Sequence, residues 1–217
     1  MNKILCLENT KAFVKTSLEN AEGGHDWFHI ERVFNNAMHI VKEEEGDEFI
    51  VALGALLHDI ADYKFHNGDE QVGPRIAREF LTSLKLPQEI IDHVVNIINH
   101  VSFKGGNTIQ KFHSPELAIV QDADRLDALG AIGIARTFNY GGFKGRALYD
   151  PSIAPNLNMS KEEYKNSTAP TINHFYEKLL LLKDRMNTIT GKAMARQRHL
   201  FMEEFLDQFY AEWRGEK

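Results

Sequence analysis

Between Asp26 and about Glu45 the apolar residues Ile30, Val33, Phe34, Ala37 and Val41 return at helical spacing, with Gly24 and Asp26 supplying a break and an N-cap. The pattern predicts an amphipathic helix. From Phe49 to Leu57 every residue is apolar or glycine, which leaves no solvated face and predicts a buried helix ending at His58-Asp59. Pro74 opens a helix bearing Ile76, Phe80 and Leu84, and Pro87 starts another bearing Ile90, Val94, Ile97, Ile98 and Val101. Ser114-Pro115-Glu116 reads as an N-cap followed by proline at the first helical position, for a helix running from Pro115 toward Phe138. Residues 139–170 hold Gly141, Gly142, Gly145, Pro151, Pro155 and Pro170 without sustained periodicity, so a long irregular loop is expected, with one helical turn at Lys161–Tyr164. Two helices, about 171–189 and 192–213, finish the chain, the last with Leu200, Phe201, Phe205, Phe209 and Trp213 on its apolar face. No segment reads as a strand, so the fold class is all-α.

The 217 residues suit a single domain. A formal charge of −6 repels a polyanionic backbone and argues against nucleic-acid polymers as partners. Cys6 is the one cysteine, so neither a disulfide framework nor a Cys-x-x-Cys site is available. No apolar run reaches the roughly 18 residues of a membrane span, and the N-terminus is too weakly apolar for a signal peptide, so a cytoplasmic protein is expected.

His58-Asp59 emerges from the most apolar segment, where an uncompensated carboxylate costs several kcal/mol to bury. A plain ion pair or helix C-cap is one answer; a metal ion is another. His29 sits about 100° from the centre of its helix's apolar stripe by the 3.6-residue period, on the flank that can reach a crevice between packed helices. His39 falls on the polar face. Asp124 shares a helical face with Leu117, Val120, Ala128 and Ala131, which sets an ionisable group on a core-directed stripe, whereas Asp122 points nearly the other way. Asp127 is about 60° from Asp124, and an ion pair with Arg125 or a neighbouring helix competes with a place in a site. Two imidazoles and two carboxylates make a mixed nitrogen and oxygen donor set that suits manganese, iron, cobalt, nickel or zinc better than magnesium.

Three stretches carry a family resemblance: His25-Asp26-Trp27 with His29 and Arg32-Val33; Leu56-Leu57-His58-Asp59-Ile60-Ala61-Asp62; and Gln121-Asp122-Ala123-Asp124-Arg125-Leu126-Asp127. Together they resemble the HD-domain metal-dependent phosphohydrolases. The resemblance implies a helical HD-type fold over residues 1–217 and one metal ion on His29, His58, Asp59 and Asp124. The stretches 58–70, 99–105, 122–136 and 171–178 are further similar to a small bacterial subgroup of nucleoside triphosphate pyrophosphohydrolases. That implies hydrolysis of a (d)NTP to a (d)NMP and pyrophosphate through a metal-activated water, with Mn2+ favoured and Ni2+, Co2+, Fe2+, Zn2+ or Mg2+ as alternatives. A nucleotidase, a phosphodiesterase or a non-catalytic nucleotide sensor are the other readings.

Asp62, one turn beyond His58, can orient or deprotonate the metal-bound water or simply support a ligand. Lys64 and His66 can reach a phosphate chain or line a solvated loop. His100 and Lys104, at the end of a helix and in a glycine-containing turn, are read as phosphate contacts, and Asp127 as a further substrate-side group. Arg125, Arg136, Lys144 and Arg146 form the nearest cationic set, and residues 139–146 read as a lid. The partner expected is a small nucleotide, bound by a monomer or a homodimer without a membrane.

Overall fold

The computed structural model of the chain describes residues 2–19, 26–61, 69, 71–101 and 110–217. Among the described residues, ten α-helices and one 3-10 segment account for the regular structure and no strand occurs. The chain divides into two compact units, Met1–Asp124 and Arg125–Lys217.

The first unit holds α1 (Lys3–Ser17), α2 (Trp27–Ile40), α3 (Glu48–Leu57), α4 (Val72–Ser83), α5 (Gln88–Val101) and most of α6 (Pro115–Asp127). Asp26 caps α2 as its spacing predicts, its Oδ1 accepting from His29 N at 2.9 Å. Asp47 caps α3, and Ser114 Oγ accepts from Leu117 N at the start of α6. All of Val51–Leu57 is buried. The enclosure is tight: a Cβ on Gly54 would stand 3.2 Å from Ile97 of α5 and 3.4 Å from Val120 of α6, so glycine lets three helices approach closely. Leu53, Leu56, Leu57, Leu81, Ile91 and Val94 form the centre of one apolar cluster. Asn36 Nδ2 donates to Ala123 O at 3.3 Å and ties α2 to α6. The helix α1 carried no strong apolar periodicity; Cys6, Thr10 and Val14 are its buried positions.

The second unit holds the end of α6, α7 (Gly130–Phe143), α8 (Lys161–Asn166), α9 (Asn173–Glu177), the 3-10 segment Leu179–Arg185 and α10 (Ile189–Trp213). Three expectations are corrected here. The helix from Pro115 does not run on to Phe138: it stops at Asp127, because Gly130 turns at φ +69° and a Cβ at Gly133 would collide with Ala128 O. The following helix runs on through Gly141 and Gly142, so the irregular stretch starts at 144 rather than 139. The single helix expected at 171–189 breaks at Lys178, whose φ of −143° and ψ of −56° are not helical, into α9 and the 3-10 segment. On α10 the inward stripe is Ala195, His199, Met202 and Leu206, and Leu200, Phe201 and Trp213 are exposed. Phe205 and Phe209 face inward, where they join Phe138, Phe175 and Tyr149 in a chain of ring contacts. No helix among the described residues is long and apolar enough to cross a membrane.

Candidate metal centre

His29 occupies the first turn of α2 and is 3% exposed, and His58 is the C-cap of α3 at 8%. A flank position on α2 thus becomes an inward one once α3 packs beside it. The two Nε2 atoms are 3.3 Å apart, and Asp124 Oδ1, from α6, is 3.6 Å from the first and 3.8 Å from the second. Asp59, next along from the C-cap, offers a carboxylate oxygen within 4.8 Å of donor atoms of both histidines. All four sequence-predicted ligands lie in the first unit: His29, His58 and Asp59 form one possible donor group, and Asp124 stands beside the same two imidazoles.

The tautomer of His58 is fixed by its neighbours. Nδ1 donates to Ala55 O at 2.9 Å, and a carbonyl can only accept, so in the neutral ring Nε2 carries the lone pair and points it at the cluster. Such an anchor holds a ligating imidazole in orientation. Imidazole and carboxylate groups gathered this closely make a mixed nitrogen and oxygen donor set that a divalent ion can occupy. The distances also fit: the point equidistant from the two Nε2 atoms and Asp124 Oδ1 lies about 2.1 Å from each, the length of a zinc bond to imidazole nitrogen or carboxylate oxygen.

The face assigned to α6 needs correction. Asp122, expected to point away from the core, is fully buried; Asp124, expected on the core stripe, keeps 34% of its side chain exposed. Ile119, Val120, Ala123 and Leu126 are all buried, so α6 is enclosed nearly all round and leaves Asp124 on the rim where a site can open. Periodicity cannot resolve a helix with so little polar face.

The remaining candidates separate clearly. Asp62, Lys64, His66 and Lys104 lie outside the described residues. His100 stands at the end of α5, with Nδ1 donating to Asn96 O at 2.8 Å and its own carbonyl accepting from Gln121 Nε2. His93 lies 3.0 Å from Ser114 Oγ and 3.2 Å from Glu116 Oε2, half-buried as a structural histidine. In the second unit Asp127 is buried and paired with Arg136, whose Nη1 donates to Oδ2 at 2.6 Å and to the Asp127 carbonyl at 3.2 Å. Arg125 donates to Arg185 O, Arg146 to Ser167 O, and Arg198 to Leu126 O. Of the two arginines that clamp the end of α6, Arg136 realises the ion pair with a neighbouring helix that competes for Asp127 in the sequence, whereas Arg198 is 72 residues from the Leu126 carbonyl it caps and has no local signal.

Residues 27–129 match the HD domain family. The chain belongs to the HD-domain superfamily, in which the helical fold and the His-Asp pair hold a divalent ion for hydrolysis. Among known proteins, the uncharacterised protein YpgQ of Bacillus subtilis is 36% identical over 96% of this chain and 94% of its own. An HD-superfamily hydrolase from Bacillus thuringiensis has a crystal structure similar at TM-score 0.80, with 45% identity over 98% of this chain and 99% of that one. The crystal structure of YpgQ in complex with ADP is similar at TM-score 0.77, with 33% identity over 98% and 97% of the two chains.

Proposed function

We propose that this protein hydrolyses a nucleoside triphosphate, ribose or deoxyribose, to the monophosphate and pyrophosphate. The observation that carries the nucleotide part is the ADP complex of YpgQ, a relative matched along nearly its whole length. His29, His58, Asp59 and Asp124 are the residues we assign to one divalent ion, with Mn2+ favoured. A bound ion of this kind supplies Lewis-acid polarisation of a phosphoryl oxygen and a water acidified enough to attack phosphorus.

What the chain itself supplies follows from charge. Two neutral imidazoles and two carboxylates offset the two positive charges of the ion, so the negative phosphate chain needs further cations to hold it. Lys64, His66, His100 and Lys104 are assigned that role, and Asp62 the role of accepting or directing the proton of the attacking water. Asp127 is reassigned from substrate contact to partner of Arg136, since its carboxylate is already committed within a buried ion pair.

The test is product analysis. Purified protein, a panel of nucleoside triphosphates and Mn2+ are expected to give monophosphate and pyrophosphate in equal amounts by phosphorus NMR. Orthophosphate as the sole phosphate product would overturn pyrophosphate release and leave a nucleotidase.

A further inference from the structure

The irregular stretch after α7 is not a loose connection. Thr171 N and Ile172 N donate to Ala147 O and Leu148 O, Asn156 N donates to Glu177 Oε1, and the buried Asn173 donates through Nδ2 to Ile153 O at 3.0 Å. Inside the stretch, Asp150 Oδ1 accepts from both the backbone and the hydroxyl of Ser152. These bonds hold residues 149–155 as one wall of a cavity of about 320 Å³, within the range of small-molecule sites. Its other wall is Asn173, Tyr176 and Tyr210.

The chemistry of the lining is selective. It contains no lysine, arginine, histidine, aspartate or glutamate, so nothing in it pairs with a phosphate or a carboxylate. Three phenol rings offer faces and edges to a planar guest, with Tyr149 standing edge-on to Tyr210 at 5.3 Å between centroids. Each phenol hydroxyl can donate and accept. Burial and a hydrogen bond with Tyr176 raise the Tyr210 pKa. Pro151 and Pro155 add rigid apolar surface that loses little entropy on binding.

We infer that this cavity, whose lining includes none of the metal ligands, binds an uncharged nucleoside or free nucleobase, stacked on tyrosine and read at its edges by phenol hydroxyls. A proline-rich peptide would also find aromatic and proline surface attractive. A volume of about 320 Å³, close to that of one base and sugar, favours the smaller guest over a peptide segment. The inference does not rest on the hydrolytic reading: binding can stand where hydrolysis fails, and the reverse.

The full chain is titrated in EDTA with adenosine, guanosine, cytidine and thymidine, followed by saturation-transfer NMR and calorimetry. At least one is expected to bind with Kd below about 1 mM, and its 5′-triphosphate about tenfold more weakly, because charge finds no partner in the lining. Ala154→Trp fills the cavity from an exposed position and is expected to weaken binding about tenfold or more, the loss of one stacked base contact, with the melting temperature unchanged. Tyr149→Leu provides a second variant that removes a ring face. Binding unaffected by Ala154→Trp, no nucleoside bound at all, or a proline-rich decapeptide bound more tightly than every nucleoside would each overturn the assignment.

Discussion

Asp124 and Asp127 stand three residues apart on α6, but one keeps 34% of its side chain exposed beside two imidazole nitrogens, and the other is 2% exposed against the Arg136 guanidinium at 2.6 Å. The first carboxylate faces the Nε2 atoms of His29 and His58. The second is satisfied by the chain alone. A buried carboxylate that has a guanidinium contributes to the integrity of the fold, whereas a carboxylate beside two imidazoles belongs to a donor set that an ion can occupy. The two residues therefore predict opposite responses to the same isosteric change.

Asp124→Asn is expected to produce the largest effect on function and almost none on the fold. With a carboxylate charge removed from the donor set, hydrolysis should fall about a thousandfold, near 4 kcal/mol of transition-state stabilisation. Mn2+ affinity, read by electron paramagnetic resonance, should fall with it, and urea unfolding of the metal-free protein should move by less than about 1 kcal/mol. An unchanged Mn2+ affinity would remove Asp124 from the site. Asp127→Asn inverts the pattern: it leaves the partly exposed Arg136 facing a neutral amide and should destabilise by about 2 kcal/mol in the same urea experiment. Mn2+ affinity that falls as far as in Asp124→Asn, with stability intact, would abolish the distinction.

The candidate pair His58-Asp59 is legible in the sequence and the clamp of Arg198 on α6 is not, for a physical reason. His58-Asp59 closes an all-apolar run, and polar groups at such a position must have partners, so local context was enough to mark them. Asp127 was marked too, but its partner lies on a separate helix behind the turn at Gly130, and no local rule specifies which cation a carboxylate meets across a turn. The same limit explains why Asp122 was assigned to the surface. A helix with buried residues around most of its circumference has no dominant stripe, so its rim, where Asp124 sits, cannot be found from spacing. The breaks at Gly130 and Lys178 depend on packing, since each neighbouring segment is apolar enough to continue as helix.

Histidines sharpen the comparison between the units. His58 points a lone pair into its cluster, whereas His174 of α9 is kept neutral by burial and by the nearby Lys178 and Arg146, with its pKa lowered to about 4. The unfolded chain protonates this ring near its ordinary value of 6.5, while the folded chain does not until about pH 4. Protons thus favour the unfolded state in that window, and stability present above pH 6.5 should be lost as pH falls toward 4, by about 3 kcal/mol from this residue. His174→Phe should flatten that part of the stability profile, followed by urea midpoints at half-unit intervals. A profile as steep as in the unaltered protein would place the acid sensitivity elsewhere.

The smallest expected effect lies where fold and site meet in one residue. Asp26 holds the first turn of α2 by accepting from the backbone of His29, the residue whose imidazole completes the cluster. Asp26→Ala removes an N-cap and should lower stability by about 1 kcal/mol. Because the N–H that loses the carboxylate belongs to His29 itself and keeps only the Asp26 carbonyl, the loosened turn should also weaken Mn2+ binding, by about tenfold at most, as loss of a residue that orients a ligand does. Asp26→Asn retains a capping oxygen and should recover both properties, which a purely electrostatic role for the Asp26 charge would not allow. Stability lost without any change in Mn2+ affinity would mean that the imidazole is held by its buried packing against α3, and that the cap serves the helix alone.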